Sequence, residues 1–408
     1  MHVGTIKIWV CGVYSIYLFM NKKHIVIVGA GFAGITALQK LDKSGLFEIT
    51  LITPKSHFEY YPGLYRVVGE KAPFEVFVPF RYLLPKRVTF LHDSVLSIDI
   101  AHKKIDTQKN GIFSYDILIM ATGMVPSDFG ITGVSQYAHF VTSLTFAIES
   151  KKALIAKLQA HVISQEKNPF TIVIAGAGPT GVELAGELSS FLRSFTKTYH
   201  VPLKNYRIKI IQRDKDVLPQ LDSKVRKTAV NRLRRLGVEL LLEHAITEVT
   251  QDTVVTSNGP IVSSFFFWTA GAMQSPLVTS TVGFTLSARK KVIVSKELLA
   301  EGTDSVYVLG DNAETEFSGL AQIAEQDGAF VGSMLVFKEQ GKPYKPYVPR
   351  KPIFVIPIGN WFGILGIKGK VFSGIIPWIL RYAVDMRFFF FRLKFADFIS
   401  LSIERKLR

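Results

Sequence analysis

The feature that most constrains this chain is one local pattern that occurs twice: an apolar strand, a glycine-rich turn and a helix. The first copy runs from the predicted strand His24–Val28 through the turn Gly29–Gly34, and the second from Thr171–Ile174 through Gly176–Gly181. Each helix is followed by another apolar, β-branched segment, so each copy predicts a βαβ unit with parallel strands. Two such units in 408 residues predict an α/β protein with at least two domains.

A glycine turn that opens a helix suits the pyrophosphate of a dinucleotide. One glycine makes the tight turn, the second lets phosphates approach the backbone, and the third lets helix and strand pack closely. A single turn is a weak signal, but two turns, each between a strand and a helix, indicate two dinucleotide sites. The candidate contacts are Gly29, Gly31, Phe32, Ala33 and Gly34 in the first site and Gly176, Gly178, Thr180 and Gly181 in the second.

Both units lack the acidic residue that usually binds the ribose hydroxyls about 20 residues after the turn. Thr53 stands there in the first unit, where its hydroxyl can form one hydrogen bond. In the second unit Gln212 stands there and Arg213 follows. Gln212 removes a charge that would repel a 2′-phosphate, and Arg213 could pair with that phosphate, which predicts use of NADPH as well as NADH. The alternative is that Arg213 is a solvated residue that stacks near the adenine.

Three further predicted strands end in small or acidic residues. The carboxyl ends of parallel strands border the ligand crevice of an open sheet, so these residues are candidate contacts. Asp311 could accept a hydrogen bond from a ribityl hydroxyl of a flavin, although Gly-Asp alone is also a common turn signal. The candidates are Ala121, Thr122 and Gly123, Ala270 and Gly271, and Gly310 and Asp311.

The basic charge of the chain is concentrated at its C-terminal end. Of the net charge of +16, +10 lies between Lys342 and Arg408, and the other 341 residues carry only +6. The same segment is rich in aromatic and apolar residues. An anionic lipid surface is therefore a better partner for it than nucleic acid, for which the chain has no recognised motif.

The chain contains a single cysteine, Cys11. One cysteine excludes a disulfide framework, a redox-active dithiol within the chain, and a zinc or iron–sulfur site built on cysteines. We therefore predict no metal site.

No segment has the length and composition of a membrane-spanning helix. The N-terminal run Ile8–Met20 is apolar, but it has only 13 residues, whereas a span needs about 20. We expect residues 1–20 to be an N-terminal extension: either Met20 is the true start of the protein, or the extension associates with a membrane.

The tail is also unsuited to spanning a membrane, because its longest uncharged stretch, Ile353–Ile367, contains a proline and several glycines. Arg381, Asp385 and Arg392 share one helical face, and Arg387 begins a second charged stripe, so a clean amphipathic helix is not predicted. The aromatic cluster at 388–391 suits a membrane interface, and a homodimer contact is the alternative.

Together, these motifs resemble those of the type II NADH:quinone oxidoreductases, or alternative NADH dehydrogenases, of the two-dinucleotide-binding-domain flavoproteins. The most specific piece is the run Gly178–Leu188, and Trp268–Gly271 and Ala321–Gly328 narrow the resemblance. The resemblance covers roughly Lys22 to Arg408. Disulfide reductases and sulfide:quinone reductases share the core motifs, but they need catalytic cysteines that this chain lacks.

The resemblance implies that FAD binds the first unit and that NADH or NADPH binds the second. It also implies that Ala321, Gln322 and Gln326 lie beside the flavin and border a quinone pocket, with Gln322 and Gln326 as catalytic residues. Glu183 would lie near the nicotinamide and flavin and take part in proton delivery or in organising the quinone site. Its alternative role is that of a structural carboxylate near a helix N-terminus. Leu320 departs from the small or polar residue that the family often has before the Ala-Gln pair.

The implied activity is hydride transfer from NADH or NADPH to FAD, followed by two-electron reduction of a membrane quinone without proton pumping. The implied location is the cytoplasmic face of the inner (cell) membrane, as a peripheral protein. A flavin-binding redox sensor or interaction protein is an alternative, as is a soluble reductase of an electron carrier. Rapid quinone reduction under steady-state conditions separates the enzyme from the sensor.

We therefore predict an α/β flavoprotein with two Rossmann-like dinucleotide-binding domains. The FAD domain comprises residues 21–125 and 275–335, and the NAD(P)H domain, residues 126–274, is inserted into it. Residues 336–408 form a membrane-associating C-terminal tail.

Overall fold

The computed structural model describes residues 3–10, 14–69, 76–367 and 369–393, without the side chains of residues 3–10, 14–21 and 391. Cys11 and the part of the predicted tail beyond residue 393 lie outside the described residues. The chain divides into two compact units, each made of three segments. The first unit comprises Met1–Phe58, Pro79–Val125 and Gln274–Pro352, and the second comprises Glu59–Val78, Pro126–Met273 and Ile353–Arg408.

The helices of the described residues are α1 (Phe32–Ser44), α2 (Leu64–Val68), α3 (Val134–Tyr137), α4 (Leu144–Ile163), α5 (Pro179–Thr198), α6 (Ser223–Arg235), α7 (Pro276–Ser280), α8 (Ala321–Glu339) and α9 (Ile375–Arg392). The strands are β1 (Val3–Val10), β2 (Tyr14–Asn21), β3 (His24–Val28), β4 (Glu48–Thr53), β5 (His57–Glu59), β6 (Phe77–Pro79), β7 (Thr89–His92), β8 (Val95–Asp99), β9 (Lys104–Thr107), β10 (Gly111–Ser114), β11 (Ile117–Met120), β12 (Met124–Pro126), β13 (His139–Phe140), β14 (Phe170–Ala175), β15 (Tyr206–Gln212), β16 (Val238–Leu242), β17 (Ile246–Val249), β18 (Thr253–Thr256), β19 (Gly259–Val262), β20 (Phe265–Trp268), β21 (Ala272–Gln274), β22 (Val306–Val308), β23 (Phe354–Pro357), β24 (Gly363–Ile367) and β25 (Lys370–Gly374).

The first unit is built on a five-stranded sheet in the order β22-β11-β3-β4-β7, in which all neighbouring strands are parallel. β3, α1 and β4 form the first predicted βαβ unit, and β3 has the predicted bounds. A smaller antiparallel sheet contains β8, β9 and β10. The N-terminal strands β1 and β2 pair antiparallel with each other.

The second unit repeats this plan with a five-stranded parallel sheet in the order β13-β20-β14-β15-β16. β14, α5 and β15 form the second predicted βαβ unit. Antiparallel sheets of β17–β19 and β23–β25 complete the unit. The prediction of an α/β protein with two Rossmann-like units is therefore confirmed.

Inside the two parallel sheets, β11 and β20 are apolar along their whole length, and β3 and β14 nearly so, because helices and loops bury both faces of these strands. In the first sheet Ile25, Val26 and Ile27 have no exposed surface, and in the second Ile172 and Ile174 have none. This is why the sequence shows unbroken apolar runs here rather than alternation.

Two glycines explain how α1 and α8 pack closely in the first unit. A Cβ atom added at Gly328 would lie 2.3 Å from the Ala33 carbonyl oxygen, and one at Gly332 would lie 2.9 Å from the Ala37 carbonyl oxygen. Gly328 belongs to the Ala321–Gly328 motif, so this member of the motif has a packing role.

The segment from Ile353 onward groups with the second unit, whereas the sequence prediction treats the tail as a separate region. It forms the sheet β23–β25 and the helix α9, and buries Ile356, Ile358 and Phe389. Among the described residues, none of the helices combines the length and the apolar character needed to cross a bilayer.

Candidate functional site

In the first unit the predicted contacts gather at one edge of the parallel sheet. Gly29 follows β3, Ala121 follows β11, and Thr53 ends β4. Gly310 begins a single 3₁₀ turn just after β22. These four strands are neighbours, so their carboxyl ends lie side by side, where open α/β sheets bind ligands.

The three glycines of the first turn have different physical constraints. Gly29 has a φ of 105°, and a Cβ there would lie 2.2 Å from the Ala121 carbonyl oxygen. A Cβ at Gly34 would lie 2.0 Å from the Gly29 carbonyl oxygen. At Gly31 the added Cβ would have no described atom within 4 Å. The fold itself therefore requires the outer glycines, whereas open space lies at the middle one.

The second turn has the same arrangement. A Cβ at Gly176 would lie 2.9 Å from the Cα of Ala270, and one at Gly181 would lie 2.0 Å from the Gly176 carbonyl oxygen. At Gly178 the space is again open. The loop after β20 thus lies over the second turn as the loop after β11 lies over the first.

Both helices that follow the turns begin without a side-chain cap. Gly31 is the N-cap of α1 and Gly178 that of α5, and neither helix has an acidic residue in its first turn. The first N–H groups of a helix have no partner within the helix and favour an anion. An uncapped helix beside open space fits a dinucleotide pyrophosphate, so the residues present suit FAD in the first unit and a nicotinamide dinucleotide in the second.

Asn312, which the sequence analysis did not select, joins the loops of the first unit. Its carbonyl oxygen accepts from the Thr122 hydroxyl and the Gly123 N–H, each at 3.0 Å. Its amide nitrogen donates to the Gly123 carbonyl at 2.8 Å and to the Gln274 side-chain oxygen at 2.9 Å. Asn312 is fully buried, so it fixes the predicted Ala121–Gly123 contact in place.

Two carboxylates lie near the same turn, the partly buried Asp311 and the fully buried Asp327. Burial raises the pKa of Asp311, and the charge of Lys291 opposes the rise. Burial also raises the pKa of Asp327 to about 6, opposed by hydrogen bonds from the Tyr347 hydroxyl and the Gly310 N–H. The Gly310 bond fixes the turn that carries Asp311, so Asp327 is a second missed residue; its position inside the Ala321–Gly328 motif was the available signal.

The remaining members of that motif lie in the first two turns of α8. Ala321 begins the helix and Gln322 follows. Gln326 exchanges hydrogen bonds with the Arg350 backbone: its oxygen accepts from the Arg350 N–H at 2.7 Å and its nitrogen donates to the Arg350 carbonyl at 3.4 Å. Gln326, predicted to be catalytic, therefore holds the linker that precedes β23.

In the second unit, the position where an acid usually binds the ribose has contacts that the sequence did not indicate. The Gln212 oxygen accepts from the Ala177 N–H at 2.8 Å, and its nitrogen donates to the Asp214 carboxylate at 2.9 Å. Arg213 is largely exposed and lies 3.8 Å from the same carboxylate. The negative charge that Gln212 lacks is therefore present two residues later, at Asp214. In the first unit, Thr53 is buried and its hydroxyl accepts from the Lys55 N–H at 3.4 Å.

Glu183 lies in the second turn of α5, in a buried group of charges within the second unit. Arg381 of α9 approaches its carboxylate at 4.0 Å and also lies 3.3 Å from Asp385. Arg66 of α2 forms a salt bridge of 2.7 Å with Asp385, and the Tyr60 hydroxyl donates to Asp385 at 2.7 Å. All these side chains are at least four-fifths buried.

Burial raises the pKa of Glu183 from its ordinary 4.5 to about 7, and the charges of Arg381 and Arg66 oppose the rise. A buried carboxyl beside two arginines can therefore gain or lose a proton near neutral pH. The raised pKa distinguishes Glu183 from an exposed carboxylate near a helix N-terminus, which stays ionised at neutral pH.

The structure thus brings the glycine turn of each unit together with loops that follow neighbouring strands. It adds Asn312 and Asp327 to the contacts of the first unit, and it places Glu183 in a group with Arg66, Arg381 and Asp385 in the second. Arg66 and Asp385 are 319 residues apart, and no local motif announces their contact. The described residues contain no cluster of acidic, histidine or cysteine side chains that could hold a metal.

Comparison with known proteins finds relatives that match nearly the whole chain. A type II NADH:quinone oxidoreductase from Staphylococcus aureus is 28% identical over 387 residues, covering 90% of this chain and 95% of the relative. NDH2 from Plasmodium falciparum, solved in complex with NADH, is 18% identical with a TM-score of 0.82, covering 94% and 98% of the two chains. The sulfide:quinone oxidoreductase of Aquifex aeolicus is 19% identical with a TM-score of 0.77, covering 91% of each.

The resemblance inferred from the motifs is therefore confirmed, and these two solved structures support the two-unit fold. The family model of the pyridine nucleotide-disulphide oxidoreductases matches residues 23–328. That match covers both turns, Glu183 and the whole Ala321–Gly328 motif, and it confirms FAD and a nicotinamide dinucleotide as the cofactors. The chain belongs to the pyridine nucleotide-disulphide oxidoreductase family.

Proposed function

We propose that this protein oxidises NADH and reduces a membrane quinone through bound FAD, without moving protons across the membrane. The observation that carries the proposal is the buried Glu183 carboxyl on the helix that follows the second turn: it lies beside Arg381 in a buried group of charges, and burial raises its pKa to about 7. Reducing a quinone to a quinol with NADH consumes one proton from the medium as well as the hydride. The activity of the Staphylococcus aureus relative supports this assignment.

When bound, FAD supplies the chemistry that links a two-electron donor to a quinone. The protein contributes binding and orientation: the uncapped starts of α1 and α5 hold the two pyrophosphates, and Asn312 fixes the loop after β11. Glu183 holds a proton at neutral pH and can release it to a reduced quinone. Arg381 and Arg66 limit the cost of the ionised carboxylate that remains.

Steady-state turnover tests the proposal. Purified protein loaded with FAD should reduce a soluble short-chain quinone with NADH at rates ordinary for an enzyme, on the order of 1 to 1,000 per second. A redox sensor would bind and reduce its flavin but turn over far more slowly. Turnover below about one per minute with every quinone tried would contradict the enzymatic assignment.

We further propose that NADPH is used within about tenfold of NADH in kcat/KM, a gap of about 1.4 kcal/mol. Gln212 and Arg213 favour the use of NADPH, because Gln212 carries no charge that would repel the 2′-phosphate and Arg213 could pair with that phosphate. Asp214 disfavours NADPH, because its carboxylate lies within hydrogen-bonding distance of Gln212. Comparing kcat/KM for the two nucleotides in wild type and in Asp214→Asn tests these opposing effects. Asp214→Asn should raise kcat/KM for NADPH more than kcat/KM for NADH.

We also propose that α9 docks the protein on an anionic membrane surface, at the cytoplasmic face of the cell membrane. Arg381 and Asp385, the charges expected to form a polar face, point inward to Glu183 and Arg66. The opposite side of α9 leaves apolar residues exposed, among them Ile376 at 69% and Ile379 at 52%. Because these charged residues of α9 face the interior and apolar residues face outward, the helix presents an apolar surface that suits lipid.

Removing the tail would not test docking cleanly, because Ile356, Ile358 and Phe389 belong to the core of the second unit. The double change Ile376→Gln and Ile379→Gln leaves that core intact. It should abolish flotation with anionic vesicles, whereas Ile163→Gln with Val262→Gln, at exposed sites outside α9, should have no effect.

If the α9 pair instead changed the sedimentation coefficient and left flotation unchanged, the apolar face would be a homodimer contact. That result would refute docking through α9.

A further inference from the structure

A basic cavity of about 480 Å³ lies in the second unit, lined by α5, α6 and the loop between β23 and β24. Four cationic side chains line it: Arg193, Lys197, Arg232 and Arg235. Ser194 and Asn360 add neutral polar groups. The cavity shares none of its lining residues with the candidate site described above.

The four cations converge because of helical spacing. Arg193 and Lys197 are four residues apart on α5, and Arg232 and Arg235 are three apart on α6, so each pair shares one helix face. Basic residues near a helix C-terminus are favoured by the macrodipole, which accounts for each helix separately. The macrodipole does not account for both basic faces lining the same cavity.

None of these four cationic side chains forms a salt bridge with another residue that the structure describes. Arg232 is held in place: its Nε donates to the Ile358 carbonyl at 3.1 Å, and its guanidinium lies 4.6 Å from the centre of the Phe362 ring. Burial lowers the pKa of Arg232, and repulsion from Arg193 and Arg235 lowers it further. The cavity therefore gathers three exposed cations around the anchored Arg232, and a bound anion would relieve the repulsion between these like charges.

Backbone packing keeps the cavity in shape. A Cβ at Gly186 of α5 would lie 2.3 Å from the Gly359 nitrogen, so the β23–β24 loop contacts α5 directly. The Asn360 N–H donates to the Ser190 hydroxyl at 3.2 Å. The site is thus formed by helices and a loop fixed against them, and ordering it requires no partner.

The residue after Asn360 indicates the kind of ligand. Trp361 is 61% exposed and packs against Trp378 of α9 at a ring-centre distance of 4.5 Å. The basic cavity therefore borders the exposed apolar surface formed by α9. A molecule that joins phosphate groups to apolar chains matches both parts.

We propose that this cavity binds the phosphate-bearing headgroup of an anionic phospholipid. Arg193, Lys197, Arg232 and Arg235 contact the phosphate oxygens, and the acyl chains lie along Trp361 and α9. The inference rests on the membrane docking proposed above and adds a defined lipid site to it. Guanidinium groups bind phosphate through paired hydrogen bonds, which makes three arginines an apt set.

The test uses full-length protein carrying FAD and two double variants of equal charge. Arg193→Gln with Arg235→Gln removes two cations from the cavity. Lys227→Gln with Arg234→Gln removes two exposed cations of α6 that do not line it. Partition onto phosphatidylcholine vesicles is measured with and without about one-fifth phosphatidylglycerol, and again with cardiolipin in its place.

The cavity variant should lose at least about tenfold more affinity for the anionic vesicles than the control variant, while both keep wild-type turnover with a soluble quinone. Equal losses in the two variants would reduce the effect to general surface charge and overturn the inference. Turnover is read on the same samples, so a protein that reduces quinone but shows equal losses refutes this site and leaves the proposed function standing.

Calorimetry separates a lipid headgroup from a free phosphate. A short-chain phosphatidylglycerol below its micelle concentration should bind wild type and not the cavity variant. Inorganic phosphate and pyrophosphate should bind at least about tenfold more weakly, because they lack the chains that contact Trp361. Equal binding of pyrophosphate would assign the cavity to a soluble phosphate ligand and refute the lipid assignment.

Discussion

Replacing Glu183 with glutamine should remove the pH dependence of quinone reduction near neutrality. Burial raises the pKa of the Glu183 carboxyl to about 7, and Arg381 and Arg66 limit that rise. Glutamine keeps the shape and the polar contacts of the side chain but cannot titrate. The substitution therefore separates the effect of losing the titratable proton from any effect on packing.

The size of the effect follows from the pKa. A carboxyl of pKa about 7 is about nine-tenths protonated at about pH 6 and about one-tenth protonated at about pH 8. If the protonated form donates to the reduced quinone, the rate of flavin reoxidation should fall about tenfold over that range in wild type. In Glu183→Gln it should be uniformly low, since general acid catalysis contributes on the order of 100-fold or more.

Stopped-flow reoxidation of the reduced protein by a soluble quinone measures this step directly, and reduction by NADH serves as the internal reference. Glu187→Gln, one turn further along α5, is the matched control and should keep the wild-type profile. A Glu183→Gln protein that retains the fall between those pH values would show that another group delivers the proton.

The same titration links Glu183 to stability. Its pKa is raised on folding, so the folded protein binds more protons than the unfolded chain between pH 4.5 and about 7. The free energy of unfolding therefore decreases as pH rises through that window, by on the order of 3 kcal/mol for this group. Glu183→Gln should flatten this slope in urea unfolding, and an unchanged slope would place the titration elsewhere.

Four further substitutions test other parts of the candidate site. The Cβ of Gly31→Ala would lie in open space, so this variant should fold normally yet lose FAD. Gly34→Ala should instead lower the stability of the fold, because its Cβ clashes with the Gly29 carbonyl. A Gly31→Ala protein fully loaded with flavin would refute the position assigned to the pyrophosphate. Gln322→Leu should slow flavin reoxidation by quinone more than reduction by NADH in stopped-flow traces, and the opposite pattern would remove Gln322 from the second half-reaction. Gln212→Glu should restore a preference for NADH by about 1–3 kcal/mol in kcat/KM, and an unchanged ratio would show that shape alone selects the nucleotide.

The parts of the fold that depend on local pattern could be predicted from the sequence. β3, β16 and β20 are mostly apolar, β-branched or aromatic runs, and the two glycine turns mark where helices begin. The reason is physical: the first glycine of each turn has a positive φ, and a Cβ at the third would meet the carbonyl oxygen of the first, five residues earlier. These local requirements leave a signature in any sequence that folds in this way.

Contacts between distant segments could not be predicted in the same way. The salt bridge between Arg66 and Asp385 joins residues 319 apart, and helical periodicity alone could not show which face of α9 turns inward. Asp214 was missed because the expected acid was sought at the last residue of the strand, where Gln212 stands. Asn312 follows Gly310-Asp311, but its role depends on the loop after β11, 189 residues away.

The central claim is that electrons pass from NADH to a quinone through the flavin of this protein. An anaerobic titration tests it directly: NADH is added to the FAD-loaded protein until the flavin absorbance bleaches, and a soluble quinone is then added. We expect full bleaching by about one equivalent of NADH and full recovery with about one equivalent of quinone, because each is a two-electron reactant. A flavin that NADH reduces but quinone leaves bleached would contradict it.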